Sequence, residues 1–144
     1  MSIATDHLDR LIAGQAEAVP VVKTLRLGLL DRWQPGFAAK RWEPAPELLN
    51  ADGSLFGGYI AAMADQILAF AAMTVVPDGS IVRTINLGVQ FLRVGKAHAV
   101  LAESKVVAQT RSLITVEAEF FREADRTLIA KAQAQQMVLP YPTA

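Results

Sequence analysis

The feature that most constrains the fold is a 22-residue segment, Leu55 to Val76, in which Asp65 is the only charge. Such a segment needs apolar surroundings, and a carboxylate placed there costs free energy unless a partner or a reaction requires it. The segment is long enough to cross a membrane. Asp65 near its middle, followed by Gln66, makes that interpretation unfavourable. We therefore expect the segment to form the buried central helix of a soluble protein.

Length and composition limit the domain organisation. A chain of 144 residues fits one domain, which we expect to span residues 1–144 with a helical extension at residues 1–25. Counted with glycine and without tyrosine, about 57% of the residues are apolar, against a usual range of about 45–50%. The excess suggests that some apolar surface is buried between subunits.

The charged residues and the missing cysteines exclude several classes of function. Fourteen basic residues balance fourteen acidic ones, so nothing favours binding to nucleic acid or to an anionic membrane. The absence of cysteine excludes disulfides, thiolate catalysis and cysteine-bound metal. His7 and His98 lack the spacing of metal ligands, so we expect no metal site. The N-terminus does not resemble a signal peptide, which makes a cytoplasmic location the default expectation.

Hydrophobic periodicity changes after the long helix. Before it, helical spacing and turn residues predict two helices and two short strands. These are a helix over Asp6–Ala18 with Thr5 as its N-cap, a helix over Pro20–Leu25, and strands within Leu27–Trp33 and Phe37–Trp42. After Pro77 the period becomes two, and extended segments are expected near 84–91, 97–108, 114–120 and 128–135. This order predicts an α+β fold, with a curved antiparallel sheet around the central helix.

Two features of the long helix point to chemistry. Gly57 and Gly58 stand at its expected start, where free backbone amides carry partial positive charge and suit a developing oxyanion. Asp65 follows as a candidate general base, made more basic by apolar surroundings. The glycines could instead form a tight turn packed on a strand, and the carboxylate could simply be satisfied by neighbouring hydroxyls.

Geometry restricts how these groups can cooperate. Eight residues separate Gly57 from Asp65, which corresponds to about 12 Å along a helix axis. One copy of the helix therefore struggles to supply both groups to a single carbonyl. Two antiparallel copies in a twofold dimer can do so. The sequence thus predicts two shared sites per dimer.

The segment Asn50–Gly58, followed by Asp65, resembles the signature of hotdog-fold acyl-CoA thioesterases, most closely the PaaI-like branch. The likeness continues through three further segments, Gln90–Arg93, Gln109–Ser112 and Leu128–Ala132. It extends over about residues 27–138 in the family's order of elements. The resemblance implies a hotdog fold, an acyl-CoA substrate without a separate cofactor, and a homodimer that often pairs into a homotetramer.

The resemblance also implies roles for individual residues. The Gly57 amide, helped by the Asn50 side chain, would bind the thioester oxygen, while Asp65 of the other subunit would activate water or attack directly. Thr84 matches a position where some members place a hydroxyl that orients the water. We expect Gly58 to contribute to substrate binding and Phe56 to be able to line an acyl pocket. The resemblance implies that Arg111, with Ser112, lies near the coenzyme A phosphates, and that Arg93 can lie near them as well.

One departure from the family pattern leaves two functions open. Phe56 stands where a histidine usually precedes the two glycines. The chain is therefore either a thioesterase or an acyl-CoA-binding protein with little turnover. A hotdog dehydratase is disfavoured, because that branch needs a catalytic histidine beside the acidic helix residue and neither His7 nor His98 is close to Asp65 in sequence.

Overall fold

The computed structural model describes residues 2–143, and its centre is one antiparallel sheet of six strands in the order β1-β2-β4-β5-β6-β3. The strands are β1 (Arg32–Gln34), β2 (Phe37–Trp42), β3 (Ser80–Phe91), β4 (Val100–Gln109), β5 (Leu113–Arg122) and β6 (Leu128–Pro140). Every neighbouring pair runs antiparallel. The pairs β1–β2, β4–β5 and β5–β6 are consecutive in the chain and are joined by short turns. The connection from β2 to β3 is long and carries α3, and residues 92–99 lead back from β3 to β4.

Three α-helices complete the fold: α1 (Ile3–Ile12), α2 (Pro20–Leu25) and α3 (Gly57–Met73). A short 3₁₀ turn at Pro46–Leu48 lies in the segment that leads into α3. Helix α3 packs against β2, β3, β4, β5 and β6, and α1 packs against α3. The expected α+β hotdog arrangement, with the sheet around one long helix, is confirmed. No helix within residues 2–143 is both long and apolar enough to cross a membrane.

Small side chains allow α3 to lie close under the sheet. Ala64, Ala71 and Ala72 on the helix are fully buried. On β6, the alternating residues Ala130, Ala132 and Ala134 face the same core. Larger groups fill the remaining space, each fully buried Leu, Ile, Met or Phe side chain contributing about 1.5–3 kcal/mol. They include Leu8, Met63, Ile67, Leu68, Ile114 and Phe120. The alanine pattern that predicted this close approach is thus explained by the packing.

The N-terminal helix differs from the prediction. It begins at Ile3 with Ser2 as N-cap, whereas the sequence favoured Thr5 in that role and a helix over Asp6–Ala18. Ser2 and Thr5 form a capping box, in which each side chain bonds to the other's backbone amide. The helix ends at Ile12 before Gly14, whose φ of +69° suits a helix terminus. α2 and the turn between β1 and β2 lie where the sequence predicted them.

Strand β3 lies at an edge of the sheet. It pairs with β6 on one side, and its other side pairs with nothing in residues 2–143. Ile85 is 51% exposed, Leu87 is 37% exposed and Phe91 is 55% exposed. A long apolar edge strand invites pairing with another strand. A register shift between Thr84 and Asn86 bends β3 beside the middle of α3.

Candidate functional site

Asp65 lies on the side of α3 that faces the edge strand β3, where it meets Thr84. The Thr84 hydroxyl donates a hydrogen bond of 2.7 Å to Asp65 Oδ1. The expected burial of Asp65 is wrong for a single chain, because the side chain is exposed. The reason is geometric: the sheet covers the face of α3 that carries Met63, Ala64 and Ile67, and Asp65 emerges beyond the sheet edge. The Thr84 contact brings together two residues that the sequence had singled out separately.

Gln136 extends this contact into the core, and the sequence prediction missed it. Its side chain on β6 is fully buried, with Nε2 at 2.9 Å and Oε1 at 3.1 Å from Thr84 Oγ1. A signal for it was present, because Gln136 continues the inward-facing alternation of Ala130, Ala132 and Ala134. Three polar side chains therefore form a line from the core to the surface.

The start of α3 presents two amides without an acceptor. Tyr59 and Ile60 donate to the carbonyl of Phe56, but within residues 2–143 no partner accepts from the amides of Gly57 and Gly58. No side chain caps this helix. Free N-terminal amides and the helix dipole together favour a negatively charged or polarised oxygen.

Two aromatic rings explain why glycine is needed at the start of α3. A Cβ added to Gly57 would lie 3.1 Å from the Phe91 ring, and one added to Gly58 would lie 2.8 Å from the Phe56 ring. Both glycines therefore permit tight packing, as the alternative interpretation of the motif required. The packing leaves the amides free, so it does not exclude the binding role. Phe56 is 57% exposed at this position.

Asn50 organises the loop that leads into α3. Its side-chain Nδ2 donates to Ser54 Oγ at 2.9 Å and to the Leu55 carbonyl at 3.3 Å. Asp52 accepts from both the amide and the hydroxyl of Ser54, which lowers the pKa of its carboxyl group. Because both N–H groups of Asn50 are engaged in the loop, its side chain fixes the path of the chain toward Gly57.

The residue after Asp65 belongs to a closed polar cluster on another side of α3. Gln66 accepts from Lys40 Nζ at 2.9 Å and donates to the Gly28 carbonyl at 2.8 Å. Lys40 also donates to the Leu27 carbonyl. Burial lowers the pKa of Lys40 to about 7, against the opposing attraction of Asp31. The sequence analysis did not identify this cluster, which depends on a loop folding over β2.

The proposed coenzyme A residues lie at two ends of the sheet. Arg93 follows β3 and donates to the Leu128 carbonyl at 3.1 Å. Arg111 and Ser112 form the β4–β5 turn, where the Ser112 carbonyl accepts from the Val138 amide. Since about ten residues of β6 separate these points, they are roughly 30 Å apart. One chain therefore does not bring Arg93 and Arg111 together.

A groove of about 650 Å³ lies next to Arg83 and Val82, immediately before Thr84 on β3. Its other walls come from α1, the end of α3 and the C-terminal segment. These residues include Ile3, His7, Arg10, Met73, Val76 and Tyr141. The N-terminal helix thus borders the part of β3 that leads into Thr84. Tyr59 and Met63 of α3 do not reach this groove, because both are buried in the core. Within residues 2–143, no three acidic or histidine side chains cluster as metal ligands would.

Known proteins share the family and the fold of this chain. The model of the Thioesterase superfamily matches residues 52–129, which is more than half of the chain and includes Gly57, Asp65 and Thr84. No curated protein is significantly similar to the chain in sequence.

Several solved structures share the fold. A phenylacetic acid degradation-related protein from Ralstonia eutropha JMP134 is 26% identical, with 90% of this chain and 98% of that chain covered and a TM-score of 0.80. A thioesterase family protein from Silicibacter pomeroyi is 24% identical, with 96% and 99% covered and a TM-score of 0.82. The smu.793 protein of Streptococcus mutans UA159, bound to acetyl CoA, is 22% identical, with 79% and 90% covered and a TM-score of 0.71.

The family match covers more than half of the chain, and the solved structures share its hotdog fold. On this evidence the chain belongs to the thioesterase superfamily.

Proposed function

We propose that the protein hydrolyses an acyl-CoA thioester to a carboxylic acid and free coenzyme A. The observation that carries the proposal is the 2.7 Å hydrogen bond from Thr84 to Asp65, which holds a carboxylate at an uncovered sheet edge. A carboxylate fixed at a surface, and not neutralised by a cation, is suited to accept a proton from water. The acetyl CoA bound to the S. mutans neighbour supports a ligand of the same class.

The reaction needs two copies of the chain. Gly57 and Asp65 are eight residues apart on α3, or about 12 Å along its axis, so one copy cannot place both at one carbonyl. In our proposal the chain forms a homodimer, which pairs further into a homotetramer. Each dimer then has two sites, and each site takes its amide from one subunit and its carboxylate from the other.

The contacts of β3 support a twofold axis near the middle of this strand in the proposed dimer. Gly57 packs near Phe91, and Asp65 bonds to Thr84. Antiparallel pairing of two β3 strands, centred near Gly88, would bring Thr84 of one subunit opposite Phe91 of the other. It would also cover the exposed apolar edge of β3. The face of α3 around Asp65 carries small residues, Gly58, Ala61, Ala62 and Ala69, so the two helices can approach closely.

The proposed chemistry proceeds at the shared carbonyl. The Gly57 amide donates to the thioester oxygen and stabilises the charge that develops on it. The partner's Asp65 takes a proton from water as the water oxygen attacks the carbonyl carbon. The carbon–sulfur bond then breaks, and the proton held by Asp65 passes to the leaving sulfur, so coenzyme A departs as the free thiol. In the alternative route, Asp65 attacks the carbon directly and water hydrolyses the resulting anhydride.

The same dimer would assemble a site for the coenzyme A phosphates. Arg111 and Ser112 lie at the end of the sheet where β3 begins, whereas Arg93 lies at its other end. Antiparallel pairing of the β3 strands would bring the partner's Arg93 toward Arg111. Guanidinium groups bind phosphate with paired hydrogen bonds, which suits the nucleotide part of coenzyme A.

A second candidate function is acyl-CoA binding without turnover. The observation that favours it is the exposed Phe56 ring beside Gly58, where the family usually has a histidine. A phenyl ring has no donor to place the thioester. Binding would then still use the amides and the arginines, but hydrolysis would be slow.

Thiol release from a panel of acyl- and aryl-CoA thioesters tests the proposal. We expect hydrolysis of at least one member of the panel. Asp65→Asn should lower kcat by about 10²–10⁴-fold, because the amide cannot accept the proton. Glu17→Gln is the matched control, since Glu17 is 94% exposed and lies outside the site. Full turnover by folded Asp65→Asn would remove Asp65 from the mechanism, and tight binding without any hydrolysis would favour the second candidate.

A further inference from the structure

The innermost side chain of the polar line behind Asp65 is Gln136. Its amide group is fully buried on β6, among residues that are otherwise apolar. A buried amide costs free energy unless its polar atoms are hydrogen-bonded. Both polar atoms of this side chain lie within hydrogen-bond distance of Thr84 Oγ1, so the amide is directed at the residue that holds Asp65.

The distances allow two directions of hydrogen bonding. Thr84 Oγ1 lies 2.9 Å from Nε2 and 3.1 Å from Oε1 of Gln136, and 2.7 Å from Asp65 Oδ1. A hydroxyl has one proton to donate and can accept as well. When Asp65 is ionised it can only accept, so Thr84 donates to it and Gln136 Nε2 donates to Thr84.

Protonation of Asp65 reverses the direction of both hydrogen bonds that Thr84 forms. The new carboxyl O–H can donate to Thr84 Oγ1, and the Thr84 proton then turns to Gln136 Oε1. Gln136 therefore offers Thr84 a suitable partner in both states. An apolar residue at position 136 would support neither direction.

We propose that Gln136 is a positioning residue that directs the Thr84 proton and supports its reversal as Asp65 gains and loses a proton. This inference rests on the proposed function of Asp65 as a base. Gln136 does not touch the substrate in this arrangement and acts through Thr84.

Few other charged residues lie on the elements that carry Asp65, Thr84 and Gln136. Asp65 is the only charge on α3, Arg83 flanks Thr84 on β3, and Lys131 on β6 is five residues from Gln136. If a substitution of Gln136 changes the pH profile, the change can therefore be attributed to that side chain. The condition is that the same charge introduced at Gln135 of β6 has no such effect.

Two variants test the inference on the full-length protein. Gln136→Met keeps the length and removes both polar atoms, and kcat should fall about tenfold with KM changed less than twofold. Gln136→Glu adds a second carboxylate that competes for the Thr84 proton. It should move the acidic limb of the kcat/KM profile to higher pH by at least half a unit. A structural role alone would lower the melting temperature and leave the pH profile unchanged.

Gln135 provides the controls because it is the exposed neighbour of Gln136 on β6. Gln135→Met and Gln135→Glu should keep the wild-type kcat and pH profile. If folded Gln136→Met retains the wild-type kcat, or Gln136→Glu retains the wild-type profile, while Asp65→Asn is inactive, the role of Gln136 is refuted and the proposed function stands. If folded Asp65→Asn keeps the wild-type activity, both the role of Gln136 and the proposed role of Asp65 are refuted. Should Gln136→Met not fold, the pH profile of Gln136→Glu decides.

Discussion

Asp65 and Gln66 are consecutive residues of α3, yet they belong to two polar regions of opposite character. Gln66, Lys40 and the carbonyls of residues 27 and 28 form a closed region, in which the side chains satisfy one another within the chain. Asp65 and Thr84 form an open region, exposed at the sheet edge and supported from inside by Gln136. The closed region has its hydrogen bonds satisfied within the chain, whereas the open region keeps one side of a carboxylate free for another molecule.

In the proposed dimer, the start of α3 of one subunit would complete the open region of the other. The amides of Gly57 and Gly58 find no acceptor within residues 2–143, and two aromatic rings flank them. In a single chain water can solvate both the free amides and the exposed carboxylate, and a dimer that closes over them would remove that water. A thioester held between two subunits would satisfy both, which is why we assign function to this region and stability to the closed one.

Removing the Gly57 amide should have the largest effect on the open region. Proline at the first position of a helix is tolerated and has no N–H, and Phe56 before it already has an extended backbone with ψ of 130°. Gly57→Pro should therefore keep the fold and lower kcat by about 10²–10³-fold, measured as thiol release. Gly57→Ala is the control, because it adds the Cβ near Phe91 but retains the amide. Similar losses in both variants would mean that packing, and not the amide, is what matters.

Phe56→His should raise kcat, by less than the loss expected for Gly57→Pro. The new ring would supply a donor beside Gly58, and one added hydrogen bond to the thioester is worth about 1 kcal/mol. We expect kcat to rise by up to about tenfold in the same assay. Phe56→Leu removes the ring without adding a donor and should show no rise. An equal response to both substitutions would place the side chain away from the thioester.

Lys40→Met should change the closed region without changing activity. Burial holds the pKa of Lys40 at about 7, below the ordinary value of 10.5, so between these values the unfolded chain binds more protons than the folded one. The stability that depends on Lys40 is therefore fully present above about pH 10.5 and is lost as the pH falls to about 7. Across that window, the wild-type free energy of unfolding should rise with pH by up to about 1.4 kcal/mol per unit.

Urea unfolding at pH 7, 8 and 9 measures this slope. In Lys40→Met the free energy of unfolding should no longer rise with pH, while kcat stays within twofold of wild type. Lys105→Met, which changes an exposed lysine, should keep the wild-type slope. A slope that survives in Lys40→Met would assign the pH dependence to other groups. A large loss of kcat would show that the closed region also supports the chemistry.

Much of the fold was predictable because it rests on local patterns. The change from helical to alternating periodicity separates α3 from the four strands that follow it, and the turn residues mark the ends of the elements. Gly57 at the start of α3 and Asp65 within it were likewise visible in the sequence. Gln136 was visible in principle, because it continues the inward alternation of β6.

Other features depend on contacts that a single segment cannot reveal. The exposure of Asp65 follows from which face of α3 the sheet covers, and the edge position of β3 follows from the order of strands. Lys40 is buried because a loop from residues 27–30 folds over β2, and the short strand around it shows no alternation that would indicate this. Such features require the tertiary structure.

Complementation between two inactive variants, Asp65→Asn and Gly57→Pro, tests whether each site is shared between two subunits. A mixed dimer would have one intact site, with Gly57 from the first chain and Asp65 from the second, and one site that lacks both groups. Mixed dimers purified through two different tags should therefore recover about half of the wild-type activity, while each parent alone stays inactive. If mixed dimers form and remain as inactive as the parents, the site does not lie between subunits and the account is wrong.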